Sequence, residues 1–267
     1  MASLKRRHPV PVAGLALAAV LLLLAIVGAG CGTSNPHPPG SFDRGVFYAE
    51  KGKGIEAVTA FESFVRRNPT DSLASEAQFL KAMTYMEMKE FPLAAVEFQI
   101  LRKDYPTSDR VEEAFFQEGL AYLGQVGKIQ RDITGAYEAR LHFLKFMQTY
   151  PQSPRIPEAR KVMQDISDLM VEKRLQQVRV FQQLNRHQAV AATLDGVLAD
   201  EAGSSRLDEV LWVRAQTAGK LEKPEERREF LRRLVNEFPE SPYAERARSA
   251  LKRDGDSGAG GVETEEP

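Results

Sequence analysis

The chain has 267 residues, with one cysteine, Cys31, and four histidines, His8, His37, His142 and His187. A single thiol excludes an internal disulfide and a thiolate zinc cluster. No two histidines stand four apart, the spacing that would turn two imidazoles toward one metal on a helical face. Gly124, Gly127 and Lys128 have the residue types of a phosphate loop. They lack its four-residue gap and its following Ser or Thr. Ser257 lies among glycines, with no packed element to hold a base beside it. The reading is therefore a non-enzyme with no catalytic residue, no metal and no cofactor. The charge excludes a further class. Lys and Arg number 36 against 37 Asp and Glu, and the first 30 residues hold three of the basic ones and no acid, which leaves 33 against 37. A nucleic-acid binder needs a basic face to neutralise phosphates.

The surroundings of Cys31 give it a different chemistry. Lys5-Arg6-Arg7 is followed by an apolar run from Val12 to Val27, then by Gly28-Ala29-Gly30 directly before the cysteine. A basic end, an apolar stretch and small residues before a cut make a secretory signal. With the cysteine at the cut, the segment resembles the bacterial lipoprotein signal, although Gly28 stands where that pattern has Leu. The resemblance implies that Cys31 is lipidated and becomes the first residue of the mature chain. An uncleaved anchor helix over residues 12–30 and plain secretion are the alternatives. Residues 31–40 are polar and proline-rich, which reads as an extended tether. Gly32, in place of the Asp that retains such lipoproteins at the inner membrane, implies the outer membrane.

The body repeats. Tyr105-Pro106, Tyr150-Pro151 and Phe238-Pro239 recur in like surroundings, with Asn68-Pro69 as a fourth copy, and Ser72, Ser108, Ser153 and Ser241 follow. Proline ends a helix, and the serine then caps the next, with Pro154 and Pro242 suiting its first turn. Twelve residues before Pro69, Pro106 and Pro151 lie Ala57, Ala94 and Ala139; eight before lie Phe61, Phe98 and Phe143; five before lie Phe64, Leu101 and Phe146. Steps of four and three share one helical face. A small residue for close approach, an aromatic to fill the groove and a terminal proline make the tetratricopeptide pattern.

The fold class is thus all-α, a tetratricopeptide-repeat solenoid of about five helical hairpins plus a capping helix. The hairpins span 41–69, 72–106, 108–151, 153–201 and 204–239, and the capping helix runs over 243–252. Eight extra residues lie within 124–135, inside the third hairpin. The fourth hairpin is degenerate: Ala189 takes the alanine place, Thr193 the aromatic place and Glu201 the proline place. The domains read as a signal over 1–30, a lipidated tether over 31–40, a repeat domain over 41–253 and a disordered acidic tail over 254–267. A stack of such hairpins exposes a groove lined by the first helix of each pair. Tyr48 and Tyr85, each 21 residues before a proline, are the groove positions assigned to client peptide. The equivalent Tyr122 lies 29 before its proline. Exposed aromatics there suit an extended peptide with aromatics of its own.

A lipoprotein signal, a short tether and five such hairpins resemble the BamD family, also called YfiO, over residues 41–252. Arg131-Asp132, Ala136, Ala139, Phe143, Tyr150-Pro151 and Ser153 follow its third repeat, insertion included. Glu172 to Leu198 resembles its long fourth-repeat helix and partner. Leu184 and His187 depart from it, and no Tyr-Pro stands near Glu201. The resemblance implies a lipid-anchored scaffold on the periplasmic face of the cell outer membrane, in the machinery that assembles β-barrel proteins. Its early repeats would receive unfolded outer-membrane proteins. Its later repeats would bind the central Omp85-type barrel insertase and other assembly lipoproteins. The alternative is a Tol-associated periplasmic repeat adaptor or a pilotin-like lipoprotein for secretin assembly.

Overall fold

The structure, a computed structural model, describes residues 35–127 and 132–259. The signal segment, Cys31 and residues 260–267 lie outside the described residues. Among the described residues every regular element is a helix: α1 (Phe42–Glu50), α2 (Gly54–Arg67), α3 (Ala74–Glu87), α4 (Phe91–Asp104), α5 (Val111–Gly124), α6 (Thr134–Thr149), α7 (Ile156–Gln183), α8 (His187–Asp200), α9 (Leu207–Lys220), α10 (Pro224–Glu237) and α11 (Ala244–Ala259). In sequence they form five hairpins, α1/α2 through α9/α10, and a final helix. Two compact units are distinguished, one ending at Ala77 and one starting at Gln78.

In the first unit, α1 and α2 close on each other through Gly45, where an added Cβ would overlap the Phe61 ring. Phe42 packs its ring 6.0 Å from Phe61 and 5.8 Å from Phe64. Phe61 is fully buried and Phe64 nearly so. The last residues of the stretch read as an extended tether are bound to this hairpin. Arg44 donates to the His37 carbonyl at 2.7 Å, and Arg67 to the Pro39 carbonyl at 3.3 Å. A proline-rich segment has few N–H groups but keeps its acceptors, and two guanidinium groups take them.

Four of the hairpins turn in one way. Gly52, Lys89, Asn185 and Glu222 all have φ between +51° and +66°. The next residue's N–H reaches back to the carbonyl of Tyr48, Tyr85, Phe181 or Ala218. This is the Schellman closure, which satisfies carbonyls left over at a helix end. The third hairpin, with its insertion, turns differently: Gly124 ends α5, and Asp132 Oδ1 accepts the Thr134 N–H at 2.8 Å to open α6.

The second unit joins its repeats by serine–carboxylate bonds. Ser153 Oγ donates to Glu112 at 2.5 Å, Ser204 Oγ to Asp168 at 2.6 Å and Ser241 Oγ to Asp208 at 2.7 Å. Each hydroxyl also accepts the N–H two residues on, as a capping serine does. It caps a short turn, however, and regular helix starts three residues after it. The opening residues of each repeat are thereby fixed to the first helix of the repeat before.

The fourth hairpin has a register one residue later than the sequence reading. Its core positions are Val190, Leu194 and Val197, all buried, rather than Ala189 and Thr193. The Glu201 N–H bonds the Val197 carbonyl just as Tyr105, Tyr150 and Phe238 bond Leu101, Phe146 and Leu234. Glu201 therefore stands in the aromatic place, and Ala202 in the proline place. Both registers have the same four-and-three spacing, and packing against α7 selects the more apolar one.

Helix α7 is twice the usual length and serves two cores. Its Ala159, Ile166 and Met170 pack with Phe115, Phe116, Phe143 and Phe146. Its Val171, Leu175 and Val178 pack with Val190, Leu194 and Val197. At the other end, α11 runs past the 253/254 boundary to Ala259, with Asp254 bound to Arg227 at 2.8 Å.

Candidate docking surfaces

Tyr48 and Tyr85 occupy equivalent places, each giving its carbonyl to the turn that closes its hairpin. They belong to different units. Tyr48 is half-buried, with Arg44 over its ring at 5.3 Å and donating to its hydroxyl at 3.1 Å. Among the described residues no acceptor takes the phenol proton. Tyr85 is also half-buried, packed against the cluster of Phe79, Ala82, Ala94 and Phe98.

Tyr122, the third tyrosine of the series, is committed to the fold. Its hydroxyl donates to Glu118 Oε1 at 3.2 Å and accepts from Gln99 at 2.6 Å. Glu118 is almost wholly buried and pairs with Arg102, whose guanidinium lies 3.6 Å over the Phe115 ring. Burial first, and then the Glu118 charge, raise the Tyr122 pKa above that of a free phenol. His142 completes the cluster. Its Nε2 lies 2.7 Å from the Phe115 carbonyl, so that nitrogen bears the proton. Nδ1 is left 3.8 Å from Glu118. Burial lowers the imidazole pKa, against the pull of Glu118. Phe115 and Phe116 are core residues. Buried polar groups tied this closely fix one packing arrangement and leave no room for a substrate.

The open surface lies elsewhere in the second unit, between α6, α7 and α8. A groove of about 1200 Å³ has Met170 and Val197 in its floor and Tyr137, Val180 and Thr193 on its walls. Lys173, Arg174 and Asp200 edge it, and the Arg140–Glu201 pair closes one end. Tyr137 is 49% exposed and Val180 52%. Thr193 lies here because the later register turns it out of the core. Leu141 at 69% and Leu144 at 41% continue the Tyr137 stripe along α6. A long, mixed apolar and charged trough suits a protein surface better than an enclosed small molecule. The sequence reading did not single it out. Its signal was present: Tyr137, Leu141 and Leu144 step by four and three on the side of α6 opposite Ala136, Ala139, Phe143 and Phe146. Among the described residues no group of three or more His, Cys, Asp or Glu could hold a metal ion, and no helix is long and apolar enough to cross a membrane.

Residues 38–230 match the family model described as YfiO, an outer membrane lipoprotein. The chain is 22% identical over 197 residues to the outer membrane protein assembly factor BamD of Neisseria gonorrhoeae, covering 70% of this chain and 74% of that protein. The BamD of Neisseria meningitidis serogroup B matches with the same identity and coverage. Among solved structures, a thermophilic TPR protein of Thermus thermophilus aligns with TM-score 0.32 and 19% identity, covering 78% of this chain and 95% of that one.

Proposed function

The chain belongs to the YfiO family of outer membrane lipoproteins, and from that premise we propose that it is a lipid-anchored periplasmic scaffold for the assembly of outer-membrane β-barrel proteins. Cys31 carries the lipid and holds the repeats at the inner surface of the outer membrane. Tyr48 in the first unit and Tyr85 in the second each offer a ring to an unfolded outer-membrane protein. The α6–α8 groove docks the Omp85-type barrel insertase, and other assembly lipoproteins join the same complex. The observation that carries this reading is the family match over residues 38–230, which spans the groove and both tyrosines.

The test is a mild-detergent pull-down of the lipoprotein from outer membranes, read by mass spectrometry, beside Cys31→Ala and the pair Tyr137→Glu/Val180→Glu. The expected result is recovery of a large barrel protein with periplasmic domains. It should be lost from the membrane fraction with Cys31→Ala, and lost from the complex with the groove pair at unchanged helicity. Recovery of Tol proteins or a secretin in place of such a barrel would overturn the assembly reading.

A further inference from the structure

Residues 35–40 lie on α1 as a bound peptide. The Asn35 side-chain amide donates to the Arg44 carbonyl at 3.2 Å, and its Oδ1 accepts the His37 N–H at 2.9 Å. The His37 ring meets the Phe47 ring edge to face, with centres 6.1 Å apart. Arg44 and Arg67 take the carbonyls of His37 and Pro39. Gly40, at φ +85°, lets the second arginine come in: an added Cβ would stand 2.6 Å from Arg67 Nη1. We propose that this segment occupies the client track of the first hairpin and yields it when a client peptide binds. The proposal rests on the reading that Tyr48 receives client peptide, and adds how that site is kept closed.

The segment is held by its backbone more than by its side chains. Pro36, Pro38 and Pro39 are exposed, so docking buries little apolar surface and is weak. His37 and Pro39 are alternate residues, and alternate residues of an extended chain point the same way. The two guanidinium groups therefore suit an extended peptide of almost any sequence. The contacts are also those a client would need. One Nη of Arg44 goes to His37 and the other to the Tyr48 hydroxyl. Phe47, which meets the His37 ring, lies 5.9 Å from the Tyr48 ring. A peptide that stacks on Tyr48 with aromatics of its own takes Phe47 and Arg44 with it, and offers larger rings than one imidazole. The resident segment competes at the high effective concentration of a tethered ligand. The client's affinity is scaled by the fraction of chains whose track is free.

The experiment uses the whole lipoprotein in mild detergent and a fluorescein-labelled decapeptide with tyrosine at alternate positions, read by anisotropy. Asn35→Ala/His37→Ala removes the segment's side-chain contacts and leaves α1 and α2 unaltered. It should bind the peptide about tenfold more tightly than the unsubstituted chain, as for a track free in about one chain in ten. Gly40→Ala, which drives Arg67 off the Pro39 carbonyl, should gain in the same direction, and Tyr48→Ala should weaken binding. Saturating peptide should move the His37 imidazole NMR signals, assigned by His37→Ala, to their positions in an unfolded chain. Circular dichroism checks that helicity is unchanged. If Tyr48→Ala weakens binding but neither variant of the segment binds more tightly than the unsubstituted chain, the segment is a fixture and this proposal alone is overturned. If Tyr48→Ala binds as well as the unsubstituted chain, the client reading of Tyr48 fails and takes this proposal with it.

Discussion

Arg140 of α6 and Glu201 at the end of α8 lie 61 positions apart and meet through two hydrogen bonds, Nη1 to Oε1 at 3.0 Å and Nη2 to Oε2 at 2.5 Å. Glu201 is 7% exposed and stands where the other repeats place an aromatic ring or Asn68. A carboxylate there survives because a guanidinium from the preceding repeat reaches it. Arg140→Ala leaves that carboxylate buried without its cation and should cost about 3 kcal/mol. Adding Glu201→Tyr, the residue of the third repeat, should return most of the loss. Urea unfolding of the single and double variants measures both.

The left-handed turn positions predict gains at two sites and a loss at a third. Lys89 and Glu222 hold φ of 61° and 57° with ordinary side chains. Glycine removes the steric cost of that conformation, about 1 kcal/mol at each site. Lys89→Gly and Glu222→Gly should therefore raise the thermal midpoint, and together they should add. Gly52, already glycine at φ 66°, should lose stability in Gly52→Ala. Scanning calorimetry distinguishes these signs.

Gly45 makes a different prediction, from space rather than torsion. A methyl group there would run into the Phe61 ring, which has no exposure and no room to withdraw. Gly45→Ala should cost about 2 kcal/mol. Adding Phe61→Leu should recover part of it. The measurement is hydrogen exchange in α1 and α2, where protection should fall in the single variant.

Acid should release the start of the fifth repeat. Burial would raise the Glu172 pKa. Hydrogen bonds from Arg206, Arg179 and Gln176 outweigh it and lower the carboxyl from 4.5 to about 2. Because the folded value lies below the unfolded one, this stabilisation is complete above about pH 4.5. It fades as pH falls toward 2. Glu172→Gln should remove on the order of 1–2 kcal/mol at neutral pH, discounted for partial exposure. It should also flatten the stability profile between pH 4.5 and 2. Denaturation at a series of pH values tests this, with Arg206→Lys as the milder variant.

How far the molecule was legible in its sequence depends on the range of the interaction. Proline and serine act on their own backbone, so Pro106, Pro151 and Ser153 marked the hairpin edges correctly from spacing alone. Tyr48 and Tyr85 could be matched by counting, because equal counts give equal turns. The fourth hairpin resisted, because Ala189/Thr193 and Val190/Leu194 have the same period and only the facing surface of α7 separates them. The turns at Lys89 and Glu222 were hidden because neither residue type prefers left-handed backbone. The partner of Glu201 was hidden by its distance in sequence. The groove was half legible, since the second stripe of α6 could be read, but its far wall depends on where α7 and α8 come together.

The length of α7 has a mechanical consequence. Ile166 belongs to one apolar core and Val178 to the next, about 18 Å apart along a single run of backbone hydrogen bonds. Elsewhere a loop could absorb a tilt between neighbouring hairpins. Residues 150–155 still join α6 to α7, but α7 carries both cores without a break, so strain entering at Tyr137 or Val180 passes along a splint. The third and fourth hairpins should lean, and melt, together.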